Sequence, residues 1–343
     1  MFTRPLPLHL FRSAPARAAA RSRTATRTRT RLASALTAVA LALPLAGAVG
    51  VTGAGAAAAQ SVDNALAAEL RALEASEPFG AHVTDALNGI NGPIGAPGPS
   101  APVDTSVPCQ PTPAHPRPVI LVHGTFDSGP NTFPRLGAPL QQQGFCVIAP
   151  TFGAYVGNPG RGGLDSIVGT SAPQLATVID HVRAQTGADK VDLVGYSQGA
   201  AIAGYTTKML RPDAVARVVS VGGYWGADNS GMVPADLPAE AAGVGLWAVN
   251  LRGLAELAPF SPMVAAWKGV EGSPYAPGVE YTILASRGDT VMPPEFSFVP
   301  GPGARTVVVE DACGGGAMDH SGIAEDQRTH ALMAGALGGV GGC

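Results

Sequence analysis

"VDLVGYSQGAAIAGY", residues 191–205, joins an apolar run to an alanine-rich one through Gly195-Tyr196-Ser197-Gln198-Gly199. The first run has the length and composition of a buried strand, and the second has helical character. A serine between two glycines at such a junction has a physical meaning. The Gly-x-Ser-x-Gly turn is so sharp that the serine backbone is strained, and side chains at either glycine would collide with the turn. The serine hydroxyl is then held beyond the strand end, where a substrate carbonyl can approach. The bare pattern is weak in a chain with 45 glycines. The strand–turn–helix context strengthens it over the plainer alternative, a glycine-rich turn capped by serine.

Outward from this turn the pattern alternates. Strands are predicted at Val119–Val122, from Phe145 (FCVIAP), at Val191–Val194, and over VARVVSVGG, YTILAS and RTVVVE. Helices are predicted over about Phe133–Gln143, Ala172–Thr186, Ala200–Leu210 and Ala324–Leu337. Alternation of this kind predicts an α/β fold, a mostly parallel central sheet with helices on both faces. Ligands on such sheets bind beyond the carboxyl ends of the strands. Ser197 occupies such an end.

A serine hydroxyl needs a base to become a nucleophile. Of the seven histidines, His9 falls in a basic N-terminal segment and His82 and His115 in a Pro/Gly-rich one. His181 and His330 fall inside predicted helices, and His123 opens the loop HGTFDSG, which has another task. His320 remains, in the glycine-rich loop CGGGAMDHSG after the last strand. The base in turn needs a carboxylate to set its tautomer and stabilise the imidazolium. Asp289 follows a strand through a tight turn in YTILASRGDTVMPP, with Asp311 as runner-up. Asp319 adjoins His320, and sequence neighbours rarely orient one another's rings. The oxyanion formed by attack needs backbone donors already in place. Gln198, after the nucleophile, supplies one amide, and Thr125, after the turn at Gly124, the other, with its hydroxyl as a possible third donor.

The front of the chain has its own character. Residues 1–31 contain eight arginines and no acid, and an apolar stretch runs from Leu32 to about Ala59, ending in three alanines. That is the order of a secretion signal, so residues 1–59 are expected to be removed and the remainder exported. The stretch is long enough to span a bilayer, but Pro44, its glycines and the terminal alanines favour cleavage over anchoring. No Arg-Arg pair supports a twin-arginine route. Without the leader, 14 of the 22 basic residues remain against 25 acids, a net charge near −11. No basic stripe is left to track nucleic acid. Residues 60–108 read as an arm or linker with one short amphipathic helix, Ser61–Glu77. Residues 109–343 are long enough for one α/β domain.

Four cysteines, Cys109, Cys146, Cys313 and Cys343, contain no Cys-x-x-Cys pair, which argues against zinc. An even count behind a secretion signal reads as two disulfides with three possible pairings. The preferred set is Cys109–Cys146 and Cys313–Cys343. The first pair flanks the first core strand and the next one, and the second would pin the C-terminus.

With PVILVHGT, GYSQG, RGDTVMPP and MDHSG in hand, the chain resembles secreted α/β-hydrolase lipases and esterases. It is similar to actinobacterial class 2 lipases and to the lipase B type of Candida antarctica. The resemblance covers roughly Cys109–Cys343. It implies Ser197 as nucleophile, Asp289 as acid, His320 as base and Thr125 with Gln198 as oxyanion donors. It also implies a disulfide between Cys109 and Cys146. His-Gly-Thr stands here where the yeast lipase has Pro-Gly-Thr, and the segment near Trp225–Tyr275 matches poorly.

That segment bears on substrate. Residues 222–277 hold all three tryptophans and read as a cap over an acyl cleft. An equally good reading is a small helical layer closing its own core. Phe126, Trp247, Phe260, Met263, Trp267 and Phe296 are the expected substrate-binding residues. An apolar cleft favours fatty-acyl esters. No metal or organic cofactor is expected. The expected partners are a small ester or lipid substrate and, transiently, a lipid surface, with the protein a monomer. Two other functions share the motifs: an extracellular acyltransferase with the same triad, and a non-catalytic binding protein on a hydrolase scaffold.

Overall fold

A computed structural model describes residues 99–226, 251–258 and 261–343. The proposed leader and almost all of the arm therefore lie outside the described residues. Six strands form one sheet: β1 (Val119–Val122), β2 (Val147–Ile148), β3 (Val191–Tyr196), β4 (Val215–Val221), β5 (Glu280–Ala285) and β6 (Ala304–Val308). Their order is β2-β1-β3-β4-β5-β6, and every pairing is parallel.

Parallel strands covered on both faces need apolar residues pointing both ways, and VILV of β1 meets that demand. Ile120 and Val122 enter one core with Leu193, Val218 and Ile283, under helix residues Leu175, Ile179 and Ile202. Val119 and Leu121 enter the other with Val194, Val219 and Leu284, under Leu136, Leu140 and Met333. The long helix Ala172–Thr186 ends on Gly187, whose φ of 70° is left-handed and costs glycine little.

Several element bounds differ from those the sequence suggests. The first helical segment starts at Gly129 rather than Phe133, because Ser128 caps it and Pro130 sits in its first turn, where proline is tolerated. It passes through a π-type turn, Phe133–Gly137, before ending at Gln142. The second strand keeps only Val147–Ile148, since the Phe145 amide is taken by the helix carbonyl of Leu140 at 3.2 Å. The run RTVVVE leaves the sheet at Val309 and coils into the helix Val309–Cys313, because β5 offers its last partner at Ala285, opposite Val308. The last helix waits for its cap at Asp326 and covers Gln327–Ala336.

Register places the site. Val122 pairs with Gly195, Tyr196 with Val221 and Val221 with Leu284, so the segments leaving β1, β3, β4 and β5 emerge along one edge. The chain leaves β1 toward β2 and returns on the other side as β3. Between β1 and β3 lies the switch point, the crevice where open α/β sheets bind ligands.

The cysteines pair as Cys109–Cys146 and Cys313–Cys343, with Cα separations of 5.4 and 5.1 Å. The first ties the extended segment ahead of β1 to the start of β2 across 37 residues of chain. Closing a loop of that size restricts the unfolded chain, so a Cys109→Ala/Cys146→Ala protein is expected to lose about 2–4 kcal/mol in urea denaturation. Coincident urea midpoints would show that the link contributes nothing.

Candidate active site

Ser197 follows β3 and directly precedes the helix Gln198–Tyr205. Its backbone has φ 53° and ψ −124°, a strained conformation for a residue with a side chain. The two glycines make it possible. A Cβ at Gly199 would stand 2.0 Å from the Val122 carbonyl oxygen, and one at Gly195 would stand 2.6 Å from Cα of Ala200. The turn is thus pressed onto β1 and its own helix at once. The Ser197 amide donates to the Val221 carbonyl at 3.1 Å, which fixes the serine between β1 and β4.

Two further loops reach the hydroxyl. His320 Nε2 lies 2.9 Å from Ser197 Oγ, and His320 Nδ1 lies 2.7 Å from Asp289 Oδ2. Asp289 is 1% exposed, and its other oxygen accepts from the amides of Val291 (2.9 Å) and Met292 (2.7 Å). Those donors hold one carboxylate oxygen and leave the other aimed at the imidazole. The loop ahead of Asp289 is tied to that of His320 by Ser286, whose buried hydroxyl accepts from the Met318 amide at 2.8 Å and donates to Glu310. The other two acids weighed for that place are engaged elsewhere. Asp319 accepts from the Gly322 amide at 2.6 Å, and Asp311 pairs with Arg287 on the surface.

The third loop follows β1. Gln198 heads its helix, so its amide has no acceptor inside the helix. Among the described residues the Thr125 amide bonds no backbone carbonyl. The chain on either side of Thr125 is held firmly. Phe126 takes φ 62°, its amide donates to the Gly162 carbonyl at 3.0 Å, and the Gly162 amide donates to that of Asp127 at 2.7 Å. His123 braces the loop from behind. Its Nδ1 donates to the Gly124 carbonyl at 2.8 Å, and its Nε2 accepts from the Phe152 amide at 2.9 Å. With one ring nitrogen donating and the other accepting, this imidazole is neutral. Burial holds its pKa below the usual histidine value.

The family model described as alpha/beta hydrolase fold matches residues 117–265. That span carries β1, β2, β3 and β4 with the loop after β1 and the serine turn. This is an α/β-hydrolase fold. The chain is similar to the triacylglycerol lipase of Pseudomonas fragi, 34% identical over 115 residues, 31% of this chain and 34% of that lipase. It is also similar to the triacylglycerol lipase of Vibrio cholerae, 30% identical over 138 residues, 38% of this chain and 41% of that lipase. The match therefore spans well under half the length of either lipase. Among solved structures, Aspergillus fumigatus lipase B superposes with a TM-score of 0.51 at 18% identity, over 66% of this chain and 53% of that one. At that identity the likeness is one of fold.

The residues expected to bind substrate fare differently. Met263 and Trp267 are 3% and 0% exposed and belong to the core, not to a cleft. Trp267 lies 5.7 Å from Trp225, and a Cβ on Gly204 would stand 2.5 Å from it. For these two, the helical-layer reading of residues 222–277 is the one the structure supports: a large aromatic surface was better buried than displayed. Trp247 and Phe260 lie outside the described residues. Phe126 is half-buried beside Thr125, and Phe296 is half-buried on the short helix Pro294–Ser297. The described part of the insertion is clamped down. The Gly253 amide donates to the Leu164 carbonyl at 3.0 Å, Arg252 lies 3.6 Å from Asp165, and Glu256 accepts from the Ile167 and Val168 amides.

Sequence reasoning passed over Tyr196, Ser286 and Glu310. Tyr196 stacks on the His320 ring at 5.1 Å and donates its hydroxyl to the His320 carbonyl at 2.9 Å. The only signal for it was its place beside the serine.

The neutral His123 has a consequence for acid stability. As pH falls below about 6.5, the ordinary histidine value, the unfolded chain takes up a proton there before the folded one does. Stability is then lost as pH falls, at up to about 1.4 kcal/mol per pH unit from this group. Replacing His123 by Gln removes that slope, so the two unfolding free energies should converge between pH 7 and pH 5. Parallel curves would mean that His123 binds its proton equally well in both states.

Proposed function

We propose that this protein hydrolyses carboxyl esters, lipid esters among them, through an acyl-enzyme on Ser197. The observation that carries the proposal is the hydrogen-bonded line Ser197–His320–Asp289, with contacts of 2.9 and 2.7 Å at the crevice between β1 and β3. The similarity to two triacylglycerol lipases supports the choice of substrate class.

In this reading His320 Nε2 takes the hydroxyl proton as Ser197 Oγ attacks the ester carbonyl. Asp289 accepts from Nδ1 and stabilises the imidazolium. The amides of Thr125 and Gln198 hold the oxyanion, and they do so without reorganising because Gly162 and His123 already fix the loop. The imidazolium then protonates the departing alcohol. Water, deprotonated by the same histidine, releases the acid and restores the serine. The basic-then-apolar N-terminal segment supports export, with cleavage near Ala57-Ala58-Ala59.

Ser197→Ala should keep the parent's urea midpoint or exceed it and lose p-nitrophenyl ester hydrolysis by about 10⁴-fold or more. Turnover near the parent level in that variant would refute the assignment. Asp289→Asn should fold, label slowly with a fluorophosphonate, and lose roughly 10³- to 10⁴-fold in kcat, because the amide no longer selects the productive imidazole tautomer. Rates on esters from acetyl to long-chain acyl, measured below and above the solubility limit, separate a lipase from a short-chain esterase. Product analysis with added alcohol identifies acyl transfer.

A further inference from the structure

The rim of the site is assembled from loops far apart in sequence, and one side chain touches most of them. Arg135 projects from the π-type turn Phe133–Gly137, and its side chain is 23% exposed. Its Nη2 donates to the carbonyl of Ser321, next to His320, at 3.1 Å. Its Nη1 lies 3.6 Å from Asp127 Oδ2, in the loop that carries Thr125, and its Nε lies 3.3 Å from Glu325 Oε1. Its Cζ stands over the Tyr196 ring at 4.9 Å from the centroid. That same ring stacks on His320 and bonds its carbonyl.

A surface ion pair would contribute little. This group is different in kind, since a planar guanidinium can stack on a ring and donate in several in-plane directions at once. Asp127 is itself held by the Ser128 amide at 2.8 Å and the Thr132 hydroxyl at 2.9 Å, so it is a fixed point to pull against. The His320 loop, by contrast, is rich in glycine, with Gly314, Gly315 and Gly316 ahead of the histidine. Such a loop needs outside restraint to hold a ring in one orientation.

Resting on the hydrolase reading above, we propose that Arg135 is a positioning residue for the reaction. It locks the loop of Thr125, the serine turn and the loop of His320 into one arrangement, and it orients the imidazole through Tyr196. Arg135 touches no substrate in this role. It acts through Tyr196, Asp127 and Ser321.

The test compares Arg135→Met, Arg135→Lys and Arg135→Ala on a soluble p-nitrophenyl ester, with the folded fraction measured by near-UV circular dichroism. A sub-ångström slip of the base is costly, so Arg135→Met should lose roughly 10- to 100-fold in kcat with KM unchanged. Arg135→Lys should recover only part, because an ammonium keeps the charge but not the fork. Low millimolar guanidinium should raise the turnover of Arg135→Ala and leave the parent unchanged. Parent-level kcat in Arg135→Met, or a loss that follows the folded fraction and ignores guanidinium, overturns the inference. Should Arg135→Met not fold, a cycle of Tyr196→Phe with Arg135→Lys decides: non-additive losses in kcat support the coupling, and additive ones overturn it. A parent without ester turnover or fluorophosphonate labelling overturns both this inference and the hydrolase reading. An active parent with an equally active Arg135→Met overturns this one alone.

Discussion

The close approach of the serine turn to β1 is the constraint from which the rest of the site follows. Ser197 sits at φ 53° because the backbone on either side has nowhere else to go: Gly199 lies against the Val122 carbonyl and Gly195 against Ala200. Such a conformation costs on the order of 1–3 kcal/mol and persists only where surrounding structure over-determines it. Here it is over-determined by a fully buried strand, β3, hydrogen-bonded on both sides, and by a helix whose every residue from Gln198 to Tyr205 is buried. The strain therefore sits at the junction of a fully buried strand and a fully buried helix, which fixes where the hydroxyl is presented.

Around that fixed point the other groups differ in how they are held. The Asp289 carboxylate is oriented by two backbone amides, and the loop ahead of it is tied to that of His320 through the buried Ser286 hydroxyl. The loop of Thr125 is held by a neutral histidine behind and the Gly162 backbone beside it. Two histidines near one serine thus have opposite roles. His123 is sealed with both nitrogens satisfied, while His320 faces Ser197 with one nitrogen and a carboxylate with the other. Environment, not residue type, separates the two.

The insertion after β4 shows the limit of composition as a guide. Tryptophan and methionine at helical spacing suit an acyl cleft and a core equally well, because both are apolar surfaces removed from water. Trp225 and Trp267 lie against one another, with Tyr275 and Tyr281 beside Trp225, in a closed aromatic cluster. Only the neighbours decide between the two roles, and those neighbours come from β5 and from the helix behind Ser197.

The alternating pattern, the Gly-x-Ser-x-Gly turn and the loops ending in His320 and Asp289 were legible because each depends on local chemistry. A buried parallel strand must be apolar on both faces, and a turn this tight must have glycines. Elimination among seven histidines and a handful of acids led to residues that the structure brings together, because helices and surface turns exclude most of the rest. Strand ends, helix starts and the roles of Tyr196, Arg135 and Ser286 were not legible in this way. Where β6 stops depends on the length of its neighbour, and what a guanidinium touches depends on loops nearly 190 residues away in sequence. The chain's own order is enough to name the groups that meet at Ser197. Which groups hold them still is decided only when the sheet register brings separate loops to one edge, since contacts between distant segments leave no mark on either segment alone.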